Sequence, residues 1–167
     1  MAEFTVRRAE AADAETVGRL LHDFNTEFDD ATPGARALAE RFRELLASGE
    51  VTVLLGGDGP HGLAVLRFRP GIWTNALECY LAELYVVPAR RGQGLGPEAI
   101  SVLRYLFEER GYHRLTIDPA VENERAVRAY ERVGFRRVGI MRQYERGRDG
   151  TWHDSLLMDL LASEFES

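Results

Sequence analysis

Hydrophobic positions along this chain keep one period for a stretch and then change it. Residues 4–8 alternate apolar and polar side chains, the period of a short edge strand. From Ala11 the spacing becomes helical: Val17, Leu20, Leu21 and Phe24 share a face, with Asp13 placed as N-cap. Asn25–Gly34 carries Asp29, Asp30, Pro33 and Gly34 and reads as a loop. Leu38, Phe42, Leu45 and Leu46 then mark a second helix, stopped by Ser48-Gly49. The period shortens again at Val51–Leu55 and Leu63–Phe68, two strands joined by a glycine-rich turn. Leu77–Val87 is a longer strand closed by Pro88. A helix from Pro97 to Arg110 presents Ile100, Leu103, Leu106 and Phe107 on one face, with Gly111 as its cap. Leu115–Ile117 is a strand, Glu124–Val133 a helix capped by Gly134, and Phe135–Tyr144 and Trp152–Leu160 two closing strands around Arg148-Asp149-Gly150. The order β-α-α-β-β-β-α-β-α-β-β predicts an α/β chain with a mixed sheet and helices on its faces. No repeat or linker interrupts residues 1–167, so a single domain is expected.

Composition narrows the function classes. The chain has 167 residues, enough to bury a core without disulfides or metal, and 45% of them are hydrophobic. The net charge of −6 lacks the basic footprint of a nucleic-acid binder. No apolar run approaches the ~20 residues of a membrane span. The N-terminus lacks the apolar core of a signal peptide, which points to the cytoplasm. One cysteine, Cys79, and the scattered His22, His61, His113 and His153 offer no metal-ligand spacing, so no metal is expected.

The candidate chemistry starts at Arg90-Arg91-Gly92-Gln93-Gly94-Leu95-Gly96-Pro97, between a strand and a helix. Alternate glycines let the backbone approach a ligand, and the helix start adds donors and partial positive charge. With Arg90 and Arg91 this makes an anion site suited to a diphosphate. Gly94-x-Gly96-x-x-Ala99, with Asp118 about 20 residues on, also fits a dinucleotide fingerprint. Against that, Pro88 through Gln93 separate the glycines from the strand, and only 49 residues follow Asp118, too few for a second dinucleotide half.

The segment Arg91-x-x-Gly94-x-Gly96, after Leu84-Tyr85-Val86-Val87-Pro88, resembles the acyl-CoA loop of the GNAT N-acetyltransferase superfamily. Asn123-Glu124-Arg125-Ala126-Val127-Arg128-Ala129-Tyr130-Glu131-Arg132-Val133-Gly134-Phe135 is similar to that superfamily's Asn-x-x-Ala-x-x-x-Tyr-Glu-x-x-Gly-Phe helix. Asp118-Pro119 together with Asn123, Arg125, Arg128, Tyr130 and Glu131 is similar, more narrowly, to aminoglycoside 6′-N-acetyltransferases. The resemblance implies a mostly antiparallel sheet of about six to seven strands, a central splayed parallel pair and about four helices. It implies acetyl-CoA as cosubstrate, a small-molecule amine as acceptor, direct transfer without an acyl-enzyme, and allows a homodimer.

Residue by residue, the resemblance gives the backbone of Leu84 and Val86 to the pantetheine amides. Arg91, Gly92, Gln93, Gly94, Leu95 and Gly96 fall to the diphosphate and Asn123 to the pantetheine arm. Arg125 or Arg128 could reach phosphate or adenine, or belong to a solvated helix face. Tyr130 matches the position that protonates the departing sulfur. For the base, Asp118 ranks first, then Glu83, then Glu78. Alternation puts Glu83 with Leu81 on one face of its strand and Tyr80, Ala82 and Leu84 on the other, unless a bulge intervenes. Asp23, Glu27, Asp29 and Asp30 would suit a cationic acceptor; Trp73 and Trp152 are expected to cap the core. Pro97 departs from the pattern: it removes one N–H, worth about 1.5–3 kcal/mol at most. That departure keeps a second function open, a CoA-binding module with little catalysis.

Overall fold

Strand β1 (Val6–Arg8) leads through a tight turn into helix α1 (Ala14–Glu27), and α2 (Ala35–Ser48) follows. Strands β2 (Thr52–Gly56), β3 (Gly62–Pro70) and β4 (Leu77–Val86) come next, then α3 (Gly96–Arg104), β5 (Arg114–Ile117), α4 (Glu124–Val133), β6 (Arg136–Arg146) and β7 (Trp152–Leu161). This computed structural model describes residues 5–57, 59–70, 72–73, 77–91, 96–147 and 149–165. The strands form one sheet in the order β1-β2-β3-β4-β5-β7-β6. Its one parallel pair is β4–β5; the other neighbours are antiparallel. The crossover β4–α3–β5 closes that pair. A second, through α4, carries β6 past the place that β7 fills. This is the mixed sheet that the element order implies.

Two apolar layers hold helices to opposite faces. Val17, Leu20, Leu21 and Phe42, from α1 and α2, pack on Val53, Leu55, Leu63, Val65 and Tyr85. Val102, Leu103, Leu106, Phe107 and Val127, from α3, the turn after it and α4, pack on Leu66, Cys79, Leu81, Leu115 and Met158. Burying these side chains supplies the main favourable term in folding. The two glycine stops at Gly49 and Gly134 have φ of 75° and 110°, backbone that a residue with a Cβ rarely adopts.

Local details depart from the sequence expectations in five places. Asp13 is the N-cap residue of α1, as expected, but its side chain makes no cap hydrogen bond. Its carboxylate instead accepts from the Glu10 N–H (2.8 Å) and from both terminal nitrogens of Arg7, which stitches β1 to the turn before α1. α1 runs on to Glu27, so Asn25 is helical rather than the start of a loop. The helix expected to reach Arg110 is α-helical only to Arg104 and continues as a π turn over Tyr105–Glu109. Trp73 is 93% exposed and Trp152 56%, so neither caps the core.

The fifth departure shapes the site. β3 and β4 pair Val65 with Glu83 and Leu66 with Leu81, which leaves Ala82 as an extra residue in β4. The bulge reverses the alternation beyond it. Leu81 and Leu84 therefore share the α3/α4 face, where Cys79 also lies. Directly opposed residues share a face. Glu83, opposite Val65, thus turns to the α1/α2 side, as does Tyr80 on the far side of the bulge, opposite Arg67.

Candidate active site

The parallel pair is paired only at Cys79–Leu115 and Tyr80–Thr116. Beyond that point β4 continues through the bulge to Val86, whereas β5 ends at Ile117 and the chain turns away at Asp118-Pro119. The strands fork, and a cleft of about 1010 Å³ opens between them. Its walls come from β4 (Tyr80 to Val86), the end of β5 with Asp118, α4 (Asn123, Ala126, Tyr130), the end of α1 (Phe24, Asn25), and β6 (Tyr144, Glu145). The Val87 N–H bonds to the His61 carbonyl at 2.8 Å, on the β3 side. Strand alternation then turns the peptide edges of Val86 and Leu84 toward the fork.

Three of the carboxylates that line this cleft are shifted upward, each to a different balance. Burial pushes Glu83 up to about 7, and the nearby Glu145 and Asp118 add to the effect. Asp118 is also raised by burial, but hydrogen bonding opposes the rise: Tyr80 donates to Asp118 Oδ1 at 2.7 Å, and Tyr144 acts on the same carboxylate. Glu145, at the rim, is raised by burial and by the fields of Asp30 and Asp118. The Tyr130 hydroxyl is withdrawn from water and pushed up to about 12, chiefly by burial and further by Glu83 and Asp118. At neutral pH the cleft thus holds a Glu83 poised between its two forms and a protonated Tyr130, beside an Asp118 that burial raises and hydrogen bonds from Tyr80 and Tyr144 hold back.

The fold brings Glu83, Asp118, Tyr130, Leu84, Val86, Arg91 and Asn123 to one cleft. Gly92, Gln93, Gly94 and Leu95 lie outside the described residues. Gly96 opens α3. The Asn123 side chain caps α4, its carbonyl accepting from the Ala126 N–H at 3.1 Å. Arg91 is already engaged: its fork pairs with the Glu27 carboxylate and its Nε donates to the Val86 carbonyl at 2.6 Å. Glu27 is therefore no longer part of an acceptor wall. Asp23 pairs with Arg19, whereas Asp30 does line the cleft. Arg125 reaches the cleft, while Arg128 bonds Glu124 on the helix surface. Glu78 pairs with Arg69 away from the fork. Cys79 is buried and its thiol is pushed up to about 12 by burial, which leaves it a packing residue.

Three cleft residues escape the sequence pattern. Tyr80 is carried there by the strand face that the bulge creates. Tyr144 and Glu145 are delivered by an irregularity in β6, where Met141 pairs with Ser155 and Glu145 with His153, so that three residues face one. Gln143 adopts φ 50° there, and its N–H is held by Asp154 at 2.8 Å. The charged and aromatic alternation of β6 carries no mark of this kink.

Residues 16–135 match the acetyltransferase (GNAT) family, and the chain belongs to it. A protein of Arthrobacter sp. FB24 assigned as an acetyltransferase is 47% identical, over 81% of this chain and 86% of that one, with a TM-score of 0.69. Acetyltransferase Atu2258 of Agrobacterium fabrum is 34% identical over 73 residues, which span 44% of this chain and 52% of that protein. The spermidine N-acetyltransferase of Vibrio cholerae, solved with CoA and spermine, shares the fold at 22% identity and a TM-score of 0.75, over 98% of each chain.

Proposed function

We propose that this protein is an acetyl-CoA-dependent N-acetyltransferase whose acceptor is a small cationic amine. The observation that supports it best is the shared cleft: the fork between β4 and β5 opens onto Glu83, Asp118 and Tyr130 together. The fork offers the peptide edge of Leu84 and the Val86 N–H to a strand-like ligand such as the pantetheine arm, the Val86 carbonyl being held by Arg91. Arg91 and Asn123 border the same channel.

Acetyl-CoA supplies an activated thioester; the chain supplies position and proton handling. An ammonium entering the cleft meets the Asp118 carboxyl group, which anchors it. Glu83, near 7, takes the proton from the amine. The nitrogen lone pair then forms the C–N bond as the C–S bond breaks. The Tyr130 hydroxyl gives its proton to the departing sulfur, a role that requires a phenol still protonated at neutral pH, and the phenolate left behind takes the surplus proton from the new amide nitrogen. No bond to the enzyme forms.

The cluster of Glu83, Asp118, Glu145 and Asp30 favours an acceptor with more than one ammonium group. Aminoglycoside-like polyamines are the finer reading, from the motif between Asp118 and Glu131. The spermine bound by the Vibrio cholerae enzyme is chemistry of the same kind. The test is thiol release from acetyl-CoA over a panel of spermidine, an aminoglycoside, a monoamine and a free peptide N-terminus. Release with polyamines well above the monoamine supports the proposal. Binding of CoA with no release across the panel replaces it with the non-catalytic module that Pro97 keeps open.

A further inference from the structure

A second cavity, of about 330 Å³, lies where α2 meets β3. That volume stands at the lower end of the roughly 300–1,000 Å³ of small-molecule sites. Its floor is apolar: Phe42 and Leu45 from α2, Val51 just before β2, and Val65 from β3. Three charged side chains line it as well, Arg41, Arg67 and Glu50, all exposed. Neither guanidinium makes a hydrogen bond or an ion pair with another described residue, Glu50 included. Their neighbours on the same elements are paired: Arg36 and Arg43 of α2 with Glu40 and Glu15, and Arg69 of β3 with Glu78. Two guanidiniums against one carboxylate leave this cavity a single surplus positive charge.

The cavity shares no lining residue with the cleft, but Arg67 stands between the two. It is the cross-strand partner of Tyr80, as Val65 is of Glu83, and directly opposed residues share a face. Against the burial that raises Glu83 and Asp118, the positive charge of Arg67 favours their ionised forms.

We infer that this cavity is a second binding site, for a small organic monoanion: a carboxylate taken by the Arg41 and Arg67 guanidiniums, with its apolar body on Phe42, Leu45, Val51 and Val65. Guanidinium–carboxylate hydrogen bonds are strong and directional. Glu50 limits the charge, since a dianion such as a phosphate ester meets its carboxylate. An anion drawn to Arg67 changes the field at Glu83 without entering the cleft. The site stands apart from the acetyltransferase reading, and its test uses neither CoA nor amine.

An NMR titration of the ¹⁵N-labelled protein with hexanoate both locates and measures the binding. The Kd is expected on the order of 1 mM, as suits so small a ligand. The largest shifts should fall on the amides of Phe42, Val51 and Val65. Hexanol keeps the body without the charge, and acetate the charge without the body; each should bind roughly tenfold more weakly. Arg41→Gln and Arg67→Gln should each weaken hexanoate roughly tenfold and leave the melting temperature nearly unchanged, because both side chains are exposed. Either variant carries the test if the other fails to fold. Hexyl phosphate should bind no more tightly than hexanoate. Hexanol binding as tightly as hexanoate, or hexanoate binding that survives both substitutions, overturns the inference. So do shifts confined to the residues around Tyr130, which would make hexanoate a ligand of the cleft.

Discussion

The Tyr80 hydroxyl donates to Asp118 Oδ1 at 2.7 Å, closing the fork one side-chain contact beyond the last paired backbone position, Tyr80–Thr116. The bond ties the two diverging strands and favours the charged form of a carboxylate that burial disfavours. Tyr80→Phe removes the donor and keeps the ring. Asp118 should then move further up, and an ammonium should find a weaker anchor at neutral pH. The amine KM is expected to rise roughly tenfold, the size of one charge-assisted hydrogen bond. Its pH dependence should move to higher pH, with kcat at saturating amine changed far less. A KM profile identical to that of the unaltered enzyme would mean that the amine does not rest on Asp118.

Glu83 carries two predictions of opposite sense. As a base it must be ionised, so kcat should climb as pH rises through about 7. Glu83→Gln should flatten that limb and lower kcat by about 10²–10⁴-fold, with CoA affinity kept. For stability the sign reverses. A carboxyl raised from 4.5 to about 7 on folding favours the native state fully below the lower value and loses that contribution as pH climbs through the upper one. The loss amounts to roughly 3 kcal/mol at most. Glu83→Gln should therefore melt higher than the unaltered protein at pH 8 and much closer to it at pH 4. Parallel melting curves at both pH values would show that Glu83 is not desolvated.

The fold was legible in the sequence wherever a period ran long enough to count. α4 begins and ends where the pattern places it, because Asn123 and Gly134 are strong stop signals of opposite kind. Tyr130, Asp118 and Asn123, singled out from the sequence, line one cleft. What stayed hidden were changes of a residue or two. A bulge at Ala82 has no glycine or proline to mark it, yet it moves Glu83 to the other face of the sheet, beside Tyr80. The β6 kink that delivers Tyr144 and Glu145 is equally unmarked. Arg91 looked like an anion ligand because charge is visible in a sequence and partners are not; Glu27 lies 64 positions away.

Tyr130 tests the acid half of the mechanism. Its hydroxyl is pushed up to about 12 by burial and the neighbouring carboxylates, so it stays protonated across the usable pH range. The ring packs edge-on against Phe135, which Tyr130→Phe preserves. The substitution should leave CoA binding and the melting temperature nearly unchanged and lower kcat by roughly 10²-fold or more. A donor thioester with a better leaving thiol should recover part of that loss, since it needs the proton less. Turnover equal to that of the unaltered enzyme would make Tyr130 a packing residue only.

Gly18 sets the approach of α1 to α2, and its replacement pits two effects against each other. In an exposed helix interior, Gly→Ala gains about 1 kcal/mol from backbone entropy. Here a Cβ would lie 2.5 Å from the Ala35 carbonyl oxygen, 2.6 Å from the Ala39 nitrogen and 2.9 Å from the Ala39 Cα. All three atoms are backbone, so no side chain can swing away and one helix must move. Overpacking of this kind costs about 1–3 kcal/mol, which cancels the helical gain or exceeds it. The melting temperature should fall by roughly 2–4 °C for each net kcal/mol lost. Because α1 carries Phe24 and Asn25 to the cleft, a displaced helix should raise the amine KM by a larger factor than any change in kcat. A Gly18→Ala protein that melts higher, with its amine KM intact, would show that the two helices have room to spare where they cross.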